Sequence, residues 1–274
     1  MSDQQRQQRQ YHIGFGRDDL TAHVGTTPTL VLLSGDPART RKIATTHLQD
    51  AHLLSDHRGL DSFVARLPSG APVICATSGM GGPSTSIVLN ELAQVGVRTV
   101  IRIGTTGSIQ PHVRIGSVII SSAALSRHGA ALDVAPREFP AVADPFLVVG
   151  LAAAATRLGI VHHVGITASV DTFFEGQERT ASSVNPTLLR RLQGITEEYR
   201  ALGVLNYEME SATVFVLSSV YAMAAGCVCA VVAERTESES VDLDEKDAAI
   251  ERAVQVAIAG AEAWLARSDP GEPA

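Results

Sequence analysis

The chain has 274 residues, of which 45% are hydrophobic and 19% are charged, and its formal net charge is -7. This size suits one large globular domain with a substantial core, or two small ones. The acidic balance argues against nucleic acid or an anionic membrane as a partner, because each requires a basic face. Cys75, Cys227 and Cys229 lie in apolar runs and indicate buried free thiols in a reducing compartment rather than a disulfide framework.

Short apolar runs alternate with helical stretches along the chain. Strands are predicted over residues 29–34, 72–78, 99–103, 117–123, 163–169, 204–207 and 227–232. Helices are predicted from residue 38, between the capping residues 144 and 159, and over 84–95, 211–225 and 246–267. This alternation predicts an α/β fold with a mostly parallel or mixed sheet covered on both faces. Since no long linker or repeat is visible, we expect one domain over 11–267, between a disordered head, 1–10, and a disordered tail, 268–274.

Two stretches bear on localisation. Residues 1–10 are rich in Gln and Arg and contain no apolar core, so no secretory signal is visible. Residues 212–233 carry no charge and are long enough to cross a bilayer. Ser218, Ser219, Tyr221 and Gly226 interrupt this run, and Gly226 divides it into the predicted helix and strand. The sequence therefore predicts a cytoplasmic protein with no membrane partner.

The segment Arg102-Ile103-Gly104-Thr105-Thr106-Gly107 combines a guanidinium, two hydroxyls and two glycines directly after a predicted strand. We predict that the chain leaves the sheet here in a glycine turn suited to a small oxyanion. An unpaired arginine in an apolar strand is costly to bury, so Arg102 requires an anionic ligand or a neighbouring carboxylate. Other strands also end in polar or Gly-rich segments, at residues 35–37, 79–83 and 171–179. Because ligands of open α/β sheets bind beyond strand ends, these loops are candidates for one site.

Two further arginines and two glutamates could contact a ligand, and for each of them a structural role without a ligand is the alternative interpretation. Arg39, one turn into the helix after Gly35, could clamp a phosphate or remain a solvated helix residue. Arg58 lies in a predicted extended stretch and could equally be surface charge. Glu208 and Glu210 follow a strand, where a carboxylate can accept both hydroxyls of a ribose or simply favour the start of a helix.

The stretch 171–179 places an aromatic residue beside an amide and a guanidinium. Phe173 could lie against a flat ring, while Gln177 and Arg179 offer donors and an acceptor to the edge of a pyrimidine. The alternative is a mobile surface loop. Arg235 could complete this donor set or pair with Glu234.

Common cofactor motifs do not fit the sequence. The segment Gly79-Met80-Gly81-Gly82-Pro83-Ser84 lacks the third glycine and the following acidic residue of a dinucleotide-binding fingerprint. No Walker lysine motif is present, and the nine histidines form no HxxxH or HExxH pattern. We therefore expect no catalytic metal and no organic cofactor.

Several segments taken together resemble the bacterial uridine phosphorylases of the nucleoside phosphorylase superfamily. They follow in colinear order at residues 11–14, 33–39, 79–86, 101–107, 139–144, 173–179 and 206–212. The Gln177/Arg179 pair is the most specific part, because it is similar to the family's uracil-binding pair and purine-cleaving relatives lack it. The resemblance implies a single-domain, three-layer α/β/α sandwich around a mixed, partly barrel-like sheet.

The resemblance also implies a role for each matching residue. Phosphate would contact Gly35, Arg39, Arg58, Arg102 and Thr105. Ribose would contact His12, Thr105, Glu208, Met209 and Glu210. The base would contact Thr106, Gly107, Phe173, Gln177, Arg179, Val232 and Arg235. The residues implied as catalytic are Arg102, Thr105, Gln177, Arg179 and Arg235. The family forms hexamers built from dimers, so His12 and Arg58 would cross the dimer interface into a neighbouring site.

Two positions depart from the family pattern. Gly59 stands where members often carry a glutamate that helps bind a monovalent cation, which puts such a potassium site in doubt. Glu234 stands where uridine phosphorylases commonly have asparagine, and its carboxylate could alter base preference or neutralise Arg235.

The implied activity is that of a pentosyltransferase in nucleoside salvage, which converts uridine and phosphate reversibly to uracil and ribose 1-phosphate. Inorganic phosphate would be a co-substrate. The alternatives are a phosphorylase for a modified pyrimidine nucleoside or deoxynucleoside, a nucleosidase of the same fold, and a nucleoside-binding protein with a decayed site.

Overall fold

A nine-stranded mixed sheet organises this chain, which a computed structural model describes over residues 9–235 and 243–267. The strands are β1 (Leu30–Ser34), β2 (Gln49–Ser55), β3 (Ser62–Arg66), β4 (Pro72–Thr77), β5 (Thr99–Ser108), β6 (Val118–Arg127), β7 (His162–Val170), β8 (Asn206–Glu208) and β9 (Ala224–Glu234). Their order is β2-β3-β4-β1-β5-β8-β7-β6-β9. An additional pairing of β5 with β9 closes the last five strands into a barrel.

Helices pack on both faces of this sheet. They are α1 (Arg17–Val24), α2 (Pro37–Lys42), α3 (Gly82–Val95), α4 (Gly129–Leu132), α5 (Pro145–Arg157), α6 (Ile195–Ala201), α7 (Ser211–Val220) and α8 (Leu243–Arg267). Side chains alternate between the faces of β1, as in any strand. Val31 and Leu33 join the core formed with α3 and α7, whereas Leu30 and Leu32 join the core formed with α5 and α8. The predicted three-layer α/β/α sandwich around a mixed, partly barrel-like sheet is confirmed.

Parallel pairing brings the candidate loops together. β1 pairs in parallel with β4 and β5, and β5 pairs in parallel with β9. The carboxyl ends of β1 and β4 therefore lie at one edge, so that Gly35 and Gly79 approach the second half of β5. The closest contact is tight, since a Cβ on Gly35 would lie 3.2 Å from the carbonyl oxygen of Gly79.

The predicted glycine turn at 104–107 is wrong, because β5 continues without a break to Ser108. Its glycines permit close packing within the sheet instead of a turn. A Cβ on Gly104 would lie 2.9 Å from an Arg102 nitrogen and 3.0 Å from Cys229 Sγ. A register shift after Thr106 marks a bulge against β9, which locally bends the strand.

The helix predicted over 211–225 ends earlier, at Val220. A turn with Ala222 at φ 54° then leads into β9, which already begins at Ala224. Gly226 lies inside β9, where a Cβ would come within 3.1 Å of Leu151 on α5. This glycine therefore allows helix–sheet packing and does not end a helix.

Two strands and one local conformation differ from the sequence expectations. β2 and β3 were not predicted, and most β2 side chains are exposed or half-buried, so the strand has no apolar run to indicate it. Arg58 lies in a short 3-10 turn with φ 59°, not in an extended stretch. The predicted tail and residues 1–8 of the predicted head lie outside the described residues, and the domain limits stay predictions. In the described part of the chain, no helix has both the length and the apolar character needed to cross a membrane.

Candidate active site

A cavity of about 460 Å³ opens where the loops after β1 and β4 meet β5, β8 and the segment 173–179. Most of the residues predicted for the site line it: Gly35, Arg39, Arg102, Thr105, Thr106, Gly107, Phe173, Gln177, Arg179, Glu208, Met209, Glu210 and Val232. The structure thus brings residues far apart in the chain into one concave site, the usual setting for a small-molecule substrate.

Two arginines line one part of the cavity. Arg39 is on α2, whose first turn is capped by the Asp36 carboxylate at 2.9 Å from the Ala38 nitrogen. Its guanidinium contacts the carbonyl oxygen of Ile103 at 3.4 Å and makes no ion pair with a carboxylate among residues 9–235 and 243–267. Burial lowers the pKa of Arg39 from its ordinary value, and the nearby charge of Arg102 lowers it further. A half-buried cation with no carboxylate partner attracts an anionic ligand.

Arg102 is held by two buried carboxylates. Its Nε donates to Glu208 Oε2 at 3.1 Å, and a terminal nitrogen pairs closely with Glu210 Oε2. Burial by itself lowers the pKa of Arg102, but the two carboxylates outweigh this effect and raise the pKa above its usual value. The sequence predicted either an anionic ligand or a neighbouring carboxylate as the partner of Arg102. The structure provides two neighbouring carboxylates, and the guanidinium still lines the cavity.

Glu208 accepts hydrogen bonds from several groups besides Arg102. It accepts hydrogen bonds from the Ser169 hydroxyl and from the backbone nitrogens of Glu210 and Ser211. Burial raises the pKa of Glu208, but the Arg102 charge and these hydrogen bonds prevail and leave its pKa below the ordinary value. Glu210 can accept more additional hydrogen bonds than Glu208, since its Oε1 accepts only the Gly81 nitrogen, at 2.6 Å, among the described residues.

The amide and guanidinium pair lines the cavity further along β5, since Arg179 lies beside Gly107 whereas Arg102 lies beside Gly104. Gln177 and Arg179 are 3% and 6% exposed, and Arg179 Nε donates to Gln177 Oε1 at 3.2 Å. The guanidinium carbon of Arg179 lies 4.4 Å from the centre of the Phe173 ring. Together they present a polar edge beside an aromatic face, as a flat heterocycle requires.

Arg235 lies behind this pair and not in the cavity lining. Its terminal nitrogen donates to the backbone carbonyl of Gln177 at 2.6 Å, and its guanidinium lies over the Tyr207 ring at 5.1 Å. A Cβ on Gly107 would come within 3.1 Å of Arg235 and 3.4 Å of Arg179, so this glycine lets both arginines approach β5. Direct contact between Arg235 and a base stays a prediction.

The two threonines of β5 differ in their availability. Thr106 Oγ1 donates to the Tyr207 carbonyl at 2.6 Å and accepts from Asn206 at 2.7 Å, so its hydroxyl joins β5 to β8. The Thr105 hydroxyl makes no hydrogen bond within the described residues and faces the cavity. Thr105 is thus available to a ligand, whereas Thr106 shapes the wall.

Comparison with known proteins agrees with this geometry. The sequence profile of the phosphorylase superfamily matches residues 29–266. The chain belongs to this superfamily. It is 42% identical over 256 residues to proteins named uridine phosphorylase from Salmonella typhimurium and from Escherichia coli K12, covering 93% of this chain and 98% of each relative. It is also 39% identical over 242 residues to a uridine phosphorylase from Thermococcus kodakarensis, covering 88% of this chain and 83% of that relative. The resemblance to the bacterial uridine phosphorylases is confirmed.

Besides Arg235, two residues that the phosphorylase resemblance assigns to the site, His12 and Arg58, do not line this chain's own cavity. His12 is fixed by Glu91, which lies 2.6 Å from its Nδ1 and also accepts its backbone nitrogen. Arg58 contacts the Tyr11 hydroxyl at 3.2 Å, with its guanidinium carbon 5.2 Å from that ring. The two lie close to each other, since His57 Nδ1 is 3.2 Å from the His12 carbonyl oxygen.

Glu234, one of the two departures from the phosphorylase pattern, points away from the base end. Its Oε1 accepts the Ile115 nitrogen at 2.8 Å, and its Oε2 lies 3.2 Å from Arg114. The carboxylate therefore anchors the loop before β6 and is engaged by Arg114, not by Arg235. Gly59, the second departure, is exposed and has a φ of 73°.

Sequence reasoning missed several lining residues, chiefly Met80 and Tyr207. Met80 is 83% exposed at the cavity, and its segment was predicted as a candidate site loop without a role for this side chain. Tyr207 is buried, and burial raises its pKa. Its position just before Glu208 at the end of a predicted strand was the signal that could have identified it.

Proposed function

We propose that this chain catalyses the reversible phosphorolysis of uridine to uracil and ribose 1-phosphate. The observation that carries the proposal is a single cavity lined both by Arg39 and Arg102, beside Ile103 and Gly104 of β5, and by the Gln177–Arg179 pair, beside Gly107. An anion and a heterocycle bound beside these two pairs would have the sugar between them. The relatives named uridine phosphorylase support the same reaction.

The chemistry breaks the bond between C1′ and the base nitrogen and forms a bond between C1′ and a phosphate oxygen. The bonding pair leaves with uracil, so negative charge develops on the base while positive charge develops on the sugar. Phosphate below the ring stabilises the sugar charge and then attacks C1′. Arg39 and Arg102 hold the phosphate in place, which supplies much of the rate through positioning.

Groups already oriented at the base end stabilise the departing uracil. Arg179 donates to the base as it takes up charge, and Gln177 orients it, while Arg235 supports the Gln177 carbonyl. Thr105, Met209 and Glu210 also line the cavity and are proposed to contact the ribose. Glu208 is assigned a positioning role, because its oxygens already accept hydrogen bonds from four donors.

Assembly completes the proposal. We expect a homohexamer built from dimers, in which His12 and Arg58 of one subunit reach the cavity of its neighbour, on the 5′-hydroxyl and the phosphate. Their positions outside this chain's own cavity support that arrangement. We further expect cytoplasmic localisation, no nucleic-acid or membrane partner, and no cofactor or metal besides inorganic phosphate as co-substrate.

Phosphate-dependent turnover tests the function. Purified chain incubated with uridine is expected to release uracil only when phosphate is present, with one ribose 1-phosphate formed per uracil, as measured by chromatography. Uracil release at the same rate without phosphate, together with free ribose, would indicate a nucleosidase. Calorimetric binding of uridine and phosphate without turnover would indicate a binding protein.

Replacing Glu234 by asparagine tests whether this departure sets base preference. Because the Glu234 carboxylate contacts Ile115 and Arg114, we expect the ratio of kcat/KM values across a panel of pyrimidine nucleosides and deoxynucleosides to change by less than about threefold. The parent chain is the control, assayed on the same panel. A reordering of the preferred nucleosides in Glu234→Asn would show that Glu234 acts on the base although it does not line the cavity.

A further inference from the structure

The segment that carries Gln177 and Arg179 has an unusual backbone at the residue between them. Glu178 has a φ of 56°, in the left-handed region that residues with a side chain rarely adopt. Its neighbours on both sides are buried and line the cavity, whereas Glu178 is only half-buried and does not line it. A conformation of this kind persists when surrounding contacts hold it, and such residues cluster at functional sites.

The side chain of Glu178 supplies those contacts. Its Oε1 accepts the backbone nitrogen of Gly194 at 2.5 Å, and its Oε2 accepts the backbone nitrogen of Thr196 at 3.0 Å. Both nitrogens belong to the start of α6, where N–H groups have no partner inside the helix. The N-cap residue of α6 is Gly194, which has no side chain to cap these groups. A carboxylate from another segment therefore performs the capping, with the favourable charge for a helix start.

The start of α6, which Glu178 caps, also contacts a residue of the cavity wall. The Thr196 hydroxyl lies 3.1 Å from the hydroxyl of Tyr207, and Tyr207 lines the cavity and lies beneath Arg235. Two backbone hydrogen bonds also fold the segment locally, from the Glu178 nitrogen to the Glu175 carbonyl at 3.1 Å and from the Arg179 nitrogen to the Phe174 carbonyl at 2.7 Å. The Glu178 carboxylate thus connects a locally folded turn to a separate element of the fold.

We propose that Glu178 is a positioning residue that holds the Gln177–Arg179 pair ready for the base by fastening their segment to the start of α6. This role rests on the proposed function. It adds to the base-binding part of the site a residue that does not touch the substrate. A recognition pair ordered before the substrate arrives avoids the cost of ordering it on binding and keeps its donors aimed at the developing charge.

The variant Glu178→Gly separates the carboxylate from the backbone conformation. Glycine adopts a positive φ without steric cost, so the change removes the anchor and leaves the turn unstrained. We expect KM for uridine to rise roughly tenfold and KM for phosphate to stay within about twofold, because Arg39 and Arg102 are unaffected. Glu178→Gln keeps one carbonyl acceptor and is expected to restore part of the uridine affinity.

Amide hydrogen exchange gives a second readout that needs no turnover. Exchange at residues 174–179 and at 194–196 is expected to be roughly fivefold faster in Glu178→Gly than in the parent chain. The matched control is Glu175→Gln on the same segment, whose carboxylate contacts only the Ser183 hydroxyl, at 3.4 Å, among the described residues. We expect this control to match the parent in both KM values and in exchange.

The outcomes separate the two proposals. Unchanged uridine KM and unchanged exchange in Glu178→Gly would overturn the positioning role, and so would an equal loss for uridine and phosphate, which indicates a general loss of structure. A parent chain that releases no uracil in a phosphate-dependent reaction would overturn the proposed function, while the exchange comparison still decides whether Glu178 orders this segment.

Discussion

Arg102→Met is expected to lower both the stability of the protein and its activity. The substitution leaves Glu208 and Glu210 buried and without their cation, and removing one partner of a buried ion pair costs about 3–5 kcal/mol of unfolding free energy. Loss of an oriented charge at the phosphate end should also lower kcat by roughly 10²–10³. Urea unfolding and steady-state phosphorolysis measure the two effects separately.

A compensating variant distinguishes the two roles of Arg102. In Arg102→Met combined with Glu208→Gln and Glu210→Gln, no buried carboxylate lacks its cation, so we expect most of the lost stability to return. Activity is expected to remain low, because phosphate still lacks its guanidinium. An Arg102→Met protein as stable as the parent would contradict the conclusion that Arg102 balances these two carboxylates.

Arg39→Met is expected to lower activity without loss of stability. Arg39 is half-buried, lines the cavity and has no carboxylate ion pair among residues 9–235 and 243–267, so its removal eliminates a partly desolvated charge and breaks no pair. We expect kcat/KM for phosphate to fall by roughly 10²–10³. The unfolding free energy should stay within about 0.5 kcal/mol of the parent value or rise above it.

Arg41→Met is the matched control for this prediction. Arg41 is on the same helix, is half exposed, and pairs with Asp61 at 2.7 Å outside the cavity. Its replacement should leave phosphate kinetics unchanged but lower stability by about 1–3 kcal/mol, because it leaves the buried Asp61 carboxylate without its partner. Equal effects of the two substitutions on kcat/KM for phosphate would refute a specific phosphate contact by Arg39.

The sequence predicted most elements of the fold because their signals are local. β1 and β4 are almost entirely buried, so their continuous apolar runs were visible, and the capping residues Asp144 and Gly159 bracket α5. β2 was not predicted, because most of its side chains are exposed or half-buried and form no apolar run. The glycines at 104 and 107 suggested a turn, but their missing side chains serve close packing against Arg102, Arg179 and Arg235.

For the candidate site, the residue types and their order in the chain were predictable, since each motif is short and contiguous. The partners of the charged groups were not. Glu234 was predicted either to alter base preference or to neutralise Arg235, yet it binds Ile115 and Arg114 from a loop about 120 positions away in the chain. The sequence did not indicate a role for Glu178, which lies between the predicted base contacts Gln177 and Arg179. That role depends on where α6 begins.

By itself, the amino-acid sequence determined the alternation of strands and helices, the membership of the superfamily and the set of side chains able to hold an anion and a pyrimidine. These properties follow from local hydrophobicity and from contiguous motifs. Only the tertiary structure decided that Arg102 is held by two carboxylates, that Arg235 lies behind the cavity, and that His12 and Arg58 lie outside it. The reason is physical: the charge balance and accessibility of each group depend on the neighbours that sheet pairing and helix packing bring to it from distant parts of the chain.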